Sequence, residues 1–493
     1  MKLSRLFRQS SIYFIGDAVR RGLGFVMIPI YTRYLTPADY GIIELVELFV
    51  MVAGICFGVG ALADGMVRIY HDWQDEESRA SVVSTGVGVV AVTGLIAAAI
   101  ASAVAGPLSL HTFGTRQYDW LVRAAFIAMV FGTLTDVGLI YQRMKQRAVF
   151  FVTFSVLQLV ANAGLNIYFI VFQGRGVWGF VLSKLICTIL GTVVLMVMLF
   201  REVGFRVRWE PVRRMLRFSG PLMLTGAAFF VMHFSDRFFL NHFADLSAVG
   251  VYALAYKFGF LVTYLVGQPF GSVWNVSFYS YVGQPGWREQ FARVASYMFF
   301  FLMLAGVGLS VFASEAMKIM APPSYFAAAA LVPIVAFGYV FREAGDFFRT
   351  LMFINKQVVD LGKVTVSCAI LNLLLEWLLI AQYKAVGAAW ATLITFAVYM
   401  AACWALADKE HKVPYPFRPF AVIGALGVVV CLVAPLLQSL PLWMQWMGSL
   451  GLVLFYVVAV WLCGYFDREE RDMIVRRIAG SRDAVLGFAE RLR

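Results

Sequence analysis

The sequence predicts an all-α integral membrane protein of fourteen transmembrane helices: two parallel six-helix repeats, then two further helices. Three observations predict it. First, the 493 residues are 61% hydrophobic and 14% charged, against about 25% charged in a soluble domain. Second, apolar stretches of roughly 20 residues, long enough to cross a bilayer, recur along the whole chain. Third, residues 5–50 lie on 214–259 at a constant offset of 209 without a gap. Arg5/Arg214, Arg8/Arg217, Ser10/Ser219, Ala18/Ala227, Phe25/Phe234, Gly41/Gly250, Leu45/Leu254 and Phe49/Phe258 are identical pairs. Apolar segments, charged loops and breaks keep the same register.

In chain order the expected spans are 10–33, 40–63, 81–106, 120–141, 149–172, 177–199, 218–241, 249–270, 293–314, 326–350, 358–381, 386–407, 418–437 and 443–465. The first, seventh and tenth are interrupted by charge. With the N-terminus inside, cytoplasmic loops and termini hold 27 of the 41 Lys and Arg, and the outer loops hold only Arg33, Arg116, Arg175, Lys318 and Lys384. That is a strong positive-inside bias, and it places both termini in the cytoplasm. The net charge of +12 is then mostly topology and attraction to lipid headgroups, so no nucleic-acid partner is expected.

Six spans make the first repeat, so both copies enter the membrane from the same side and are related by an axis along the membrane normal. The expected organisation is an N-lobe at 1–199, a basic cytoplasmic connector at 200–217, a C-lobe at 218–407, two extra helices within 408–465, and a tail at 466–493. The tail puts Ile474, Ile478, Val485 and Leu492 near one helical face. That pattern suits a helix lying on the membrane surface or a partner-binding tail. Cys56, Cys187, Cys368, Cys403, Cys431 and Cys463 all fall in apolar spans, without metal-ligand spacing. No signal peptide is expected, because the first apolar stretch carries Asp17, Arg20 and Arg21 and has no evident cleavage site. The short loops leave no room for a soluble catalytic domain, so an enzyme is not expected.

Ionisable groups at membrane depth are costly and mark function. In the first span Asp17, Arg20, Arg21 and Gly24 share a face at i, i+3, i+4 and i+7; in the tenth, Arg342, Asp346 and Arg349 do the same. The seventh gathers His233, Asp236 and Arg237, and the eighth adds Lys257. Two readings stand for these clusters: compensated pairs that only hold helices together, or a polar groove for an anionic head group, for which arginine's planar fork is suited. His233 reads as a packed neutral ring or a group titrating near neutrality. Asn162 and Asn166, one turn apart, either bridge helices or line the path. Glu44 and Glu47 form a carboxylate pair with no loop to hold a substrate over them. Arg123, Lys184, Lys363 and Arg349 are expected to snorkel toward water. Across the repeat, Arg20 aligns with Phe229 and Asp17 with Gly226, so the fold repeats while its charges do not.

The stretch Arg33-Tyr34-Leu35-Thr36-Pro37-Ala38-Asp39-Tyr40-Gly41, following a charged first helix, resembles the start of Wzx-type polysaccharide flippases of the multidrug/oligosaccharidyl-lipid/polysaccharide (MOP) exporter superfamily. The polar turn Tyr141-Gln142-Arg143-Met144-Lys145-Gln146-Arg147 after the fourth span fits this resemblance. So do Gly176-Val177-Trp178-Gly179 opening the sixth span and Val386-Gly387-Ala388-Ala389-Trp390-Ala391-Thr392 opening the twelfth. It extends over about residues 1–407.

The resemblance implies two lobes around a central cavity in a bacterial inner-membrane protein. It implies alternating access that carries an undecaprenyl-pyrophosphate-linked oligosaccharide from the inner to the outer leaflet. Arg20, Arg21, Arg237, Lys257, Arg342 and Arg349 are then the candidates for holding pyrophosphate and glycan. Asp17, Asp136 and Glu376 are the candidates for a coupling ion, H⁺ or Na⁺, with no other cofactor expected. Membrane lipids and polysaccharide polymerase or assembly proteins are the expected partners of a monomer. Two alternatives share the fold: an H⁺- or Na⁺-coupled multidrug antiporter, which Asp17 and Pro29 would suit, and a lipid II flippase, in which two extra helices form a lipid-tail groove.

Overall fold

The computed structural model describes residues 22–354 and 357–465. Within them the chain is helical, with no strand. The helices are α1 (Ile28–Tyr34), α2 (Pro37–Cys56), α3 (Val59–Asp72), α4 (Glu76–Ala103), α5 (Ala105–Phe113), α6 (Asp119–Met144), α7 (Ala148–Asn166), α8 (Gly176–Val203), α9 (Trp209–Phe234), α10 (Asp236–Phe243) and α11 (Leu246–Gly259). They continue as α12 (Gln268–Tyr281), α13 (Trp287–Val311), α14 (Ala313–Met320), α15 (Ala328–Ile354), α16 (Val358–His411), α17 (Phe417–Val433) and α18 (Leu442–Leu462). Among the described residues eleven helices are long and apolar enough to cross a membrane, twelve with the bent pair α2–α3 taken as one span. The long α16 is itself two passes, broken at Lys384, whose backbone is non-helical (φ 52°, ψ −128°). It holds the eleventh and twelfth expected spans. Half of the first expected span, residues 10–21, falls outside the described residues, and so do Asp17, Arg20, Arg21 and the tail at 466–493.

Contacts divide the chain into two units: the described residues of Met1–Lys257 with Ala316–Leu331 and Gln357–Tyr399, and those of Phe258–Glu315 with Val332–Lys356 and Met400–Arg493. In the first unit α6 packs along α8 and α4 around a buried apolar core that includes Leu121, Val122, Val137 and Leu195. In the second, α17 and α18 pack on α13. Only 17% and 22% of their apolar windows are buried inside the protein. Their other faces expose Leu432, Leu436, Leu454 and Val458, as lipid-facing helices do.

Within the motif at residues 33–41, Thr36 and Asp39 have a defined physical role. Thr36 caps α2: its hydroxyl accepts from the Asp39 amide, and Asp39 returns a bond to the Thr36 amide, a reciprocal capping box with Pro37 in the first turn. Gly41 sits where α2 crosses α11. A Cβ there would overlap the Leu246 carbonyl, and one on Gly250 would overlap the Pro37 carbonyl. Gly41/Gly250 and Pro37/Leu246 are partners across the 209-residue offset. The contact is therefore reciprocal, as a twofold relation between repeats requires, and two glycines let the backbones meet.

α9, which carries most of the seventh expected span, begins at Trp209, so most of the stretch 200–217 expected as a connector is itself helical, and only 204–208 runs as a non-helical strap.

Candidate functional site

The densest buried charge in the described residues lies in the first unit, at the junction of α9 and α10. Ser235 is a single turn residue between these helices, and Asp236 opens α10. A carboxylate there faces the positive end of the helix. Arg237, at 1% exposure the largest fully buried side chain, is held from every side. Its Nη1 donates to Asp236 Oδ1 at 2.6 Å and to the His233 carbonyl at 2.6 Å. Glu44 of α2 lies 3.7 Å from Nε. The guanidinium sits 3.9 Å from the centre of the Tyr256 ring and 5.3 Å from those of Tyr252 and Phe234. Cation–π contact of this kind gains strength away from water.

Asp236 is used twice, since its other oxygen accepts from the Tyr252 hydroxyl at 2.5 Å. Tyr252 and Tyr256 are one turn apart on α11, and Lys257 follows them. Lys257 is exposed, and its Nζ donates to the Tyr40 hydroxyl of α2 at 2.7 Å. His233 is buried and packs at a tilt against Phe229 and Phe396, with ring centres 4.2 and 5.0 Å away. Its Nδ1 lies 3.5 Å from the Tyr256 hydroxyl.

Beside this cluster, α16 brings in Glu376, 1% exposed. Its partners are neutral. Ser235 donates to Oε2 at 2.8 Å. The Asn372 amide, oriented to satisfy its neighbours, donates to Oε1 at 2.9 Å and to the Val231 carbonyl at 3.0 Å, and accepts from Thr395 at 3.2 Å. No cation forms an ion pair with Glu376 among the described residues, and Asp236 lies within its electrostatic range. Thr392 stands 3.5 Å from the Tyr252 hydroxyl, and Ser235, which bonds Glu376 and directly precedes Asp236, joins the two groups. The arrangement is two buried carboxylates, one compensating guanidinium and a surround of hydroxyl and amide oxygens. Such a set suits uptake of a proton or a hard monovalent cation.

The other candidates lie elsewhere. In the second unit, Arg342 bridges Glu343 at 2.9 Å and Asp346 at 3.0 Å, and Arg349 pairs with Asp346 at 3.2 Å. Thr263 donates to Glu343 at 2.7 Å from a π-helical turn, Thr263–Gly267. Any side chain at Gly267 would overlap Glu343. Asp136 lines a separate groove of about 950 Å³ in the first unit, with Asp64, Arg68, His71, Thr133 and Arg143. Asn166 donates to Asn162 at 3.0 Å along one helix.

Two acids of α2 reach to other helices. Both oxygens of Glu47 accept from Lys184 of α8, at 2.5 and 2.7 Å, while Glu44 lies against Arg237. Glu44 and Glu47 thus each turn to a different cation. Sequence reasoning missed Tyr40, Tyr252, Tyr256, Asn372, Ser235 and Thr392. A tyrosine in an apolar span gives no charge signal, although Asn372 and Glu376 at i, i+4 share a helical face.

A family model described as polysaccharide biosynthesis protein matches residues 6–275, more than half the chain. The chain belongs to that family. A membrane protein of Haemophilus influenzae, described as uncharacterized, is 20% identical over 271 residues, 53% of this chain and 62% of the relative's own length. Among solved structures, the lipid II flippase MurJ in an inward closed conformation superposes with a TM-score of 0.73 at 14% identity, over 90% of this chain and 98% of that one. An inward-facing MATE multidrug resistance transporter of the MOP superfamily gives 0.58 at 15% identity, over 80% and 94%. A MATE transporter of Vibrio cholerae gives 0.53 at 15%, over 83% and 97%. The fold is thus that of the MOP superfamily, and the chain is a multi-pass membrane protein.

Proposed function

We propose that the chain is a flippase that moves a polyprenyl-pyrophosphate-linked oligosaccharide from the cytoplasmic to the outer leaflet of a bacterial inner membrane. Alternating access between two six-helix lobes would carry it. The observation that carries this reading is an asymmetric charge cluster at membrane depth, in a member of a polysaccharide biosynthesis family. The MOP fold, shared with a protein named for flipping lipid II, supports it. Lys257, exposed one residue past the enclosed tyrosines, is the described cation best placed to meet a phosphate. Arg237 is committed to Asp236, Glu44 and three rings, so its role is to hold the acids rather than to grip a ligand. A pyrophosphate leaving a negative-inside cell is helped by the field, by roughly 2.3 kcal/mol per charge per 100 mV.

Coupling falls to Glu376. With H⁺ or Na⁺ bound, the Glu376–Asp236 pair carries one negative charge against Arg237. With the ion released it carries two, and the repulsion biases the helices toward the other state. The test is flipping of a fluorescent polyprenyl-pyrophosphate oligosaccharide by purified protein in liposomes. Wild type should flip it and Lys257→Ala should be slowed. Efflux of lipophilic cations without any flipping would favour the multidrug antiporter instead.

A further inference from the structure

The strap at 204–208 is bound to α4 through side chains that a helix seldom lends to another segment. Ser84 accepts from the Arg206 amide at 2.9 Å and Thr85 from the Arg208 amide at 3.0 Å, while the Thr85 hydroxyl reaches the Arg206 carbonyl at 3.3 Å. Glu77 receives the Arg206 side chain at 2.6 Å. These bonds pin the strap's backbone to α4 and leave the side chains of Phe205 and Val207, and of Trp209 at the start of α9, 77%, 60% and 77% exposed. Leu216 and Phe218 continue the exposed apolar surface along α9.

Three large exposed apolar side chains on and beside a strap pinned by specific hydrogen bonds call for an occupant, and hydrocarbon is not it. Non-helical backbone does not face lipid tails, because its polar groups would go unsatisfied. The surroundings name the occupant: residues 201–217 hold six arginines and two glutamates. Both glutamates are paired, Glu202 with Arg147 and Glu210 with Arg214. Aromatic side chains beside unspent arginine charge match the headgroup layer of an anionic leaflet.

We propose that the outer face of this strap and the first turns of α9 form a docking surface for anionic phospholipid headgroups. Phe205, Val207 and Trp209 insert at the interface while Arg213 and Arg217 meet the phosphates. The surface fixes the depth of the link between the two repeats and does not depend on the flippase reading.

The test uses full-length protein with Cys56→Ser and Cys463→Ser, carrying an environment-sensitive fluorophore at Val207→Cys, in nanodiscs. Discs of phosphatidylcholine with phosphatidylglycerol should give blue-shifted emission quenched by a shallow spin-labelled lipid. Discs of phosphatidylcholine alone should give at least a twofold weaker quench. The double variant Arg213→Gln/Arg217→Gln should lose that difference, and Arg213→Lys/Arg217→Lys should keep it, which separates charge from misfolding. Equal quenching in both discs, or a difference untouched by the glutamine variant, would overturn the proposal. So would a label that stays water-exposed in both discs and is shielded only when soluble protein is added.

Discussion

A charged side chain at membrane depth costs several kcal/mol unless it is paired, and Arg237 shows how the pairing is arranged. Removing one partner of a buried pair leaves the other charge uncompensated, at about 3–5 kcal/mol. Asp236→Asn should therefore lower the thermal midpoint in detergent sharply. Tyr252→Phe, which removes only a hydrogen bond to that carboxylate, should cost about 1.5–3 kcal/mol. Differential scanning of the two variants checks the order. At Lys257 the expectation concerns function: Lys257→Ala should slow flipping, and Lys257→Arg should retain more of it, since charge rather than shape meets the phosphate. The sequence made the charges of this site legible, because Asp236, Arg237, Lys257 and Glu376 stand out in apolar spans. It could not say that Arg237 is enclosed and Lys257 is not. That difference comes from Tyr252 and Tyr256, whose rings close over one cation, and from the packing of α2 on α11.

At the scale of elements, the crossing of α2 and α11 rests on Gly41 and Gly250, each against the backbone of the other helix. Gly41→Ala and Gly250→Ala should each destabilise by at least about 1–3 kcal/mol, the range for overpacking. The backbone cannot yield as a flexible side chain would, so both should fall at or above its upper end. Because the contact is reciprocal, the double variant should cost less than the sum, a coupling a double-mutant cycle would read. Another element-scale expectation concerns the cap of α4, where Asp75 accepts from the Ser78 amide at 2.7 Å. The Ser78 hydroxyl and then its amide hold the Asp75 carboxyl below the usual carboxylate range. The cap therefore contributes in full at neutral pH and is lost as pH falls through the depressed value. Thermal midpoints of wild type and Asp75→Ala should differ at neutral pH and converge as pH falls through that depressed value. Element positions were readable from hydropathy, because spans of roughly 20 apolar residues bounded by charge leave little latitude. The early start of α9 was not, since Arg213, Arg214 and Arg217 on a helix look, in sequence, like a loop.

For the whole molecule, the offset of 209 residues carries the fold, and the reciprocal glycine contact gives it a physical meeting point. The charges break that symmetry. The carboxylates of the candidate coupling site come from α10 and α16, and Arg20 and Asp17 have no counterparts at Phe229 and Gly226. Proteins that move one ligand with two unlike ends, a phosphate and a glycan, need such asymmetry, whereas a symmetric pore does not. The central claim, that Glu376 couples ion movement to lipid-linked glycan flipping, is tested most directly in proteoliposomes loaded with a fluorescent polyprenyl-pyrophosphate oligosaccharide. Flipping is followed with and without an imposed H⁺ or Na⁺ gradient. Wild type should flip faster with one of the two gradients, and Glu376→Gln should remain folded and lose that stimulation. Stimulation that persists undiminished in Glu376→Gln, or a wild-type rate indifferent to both gradients, would contradict it.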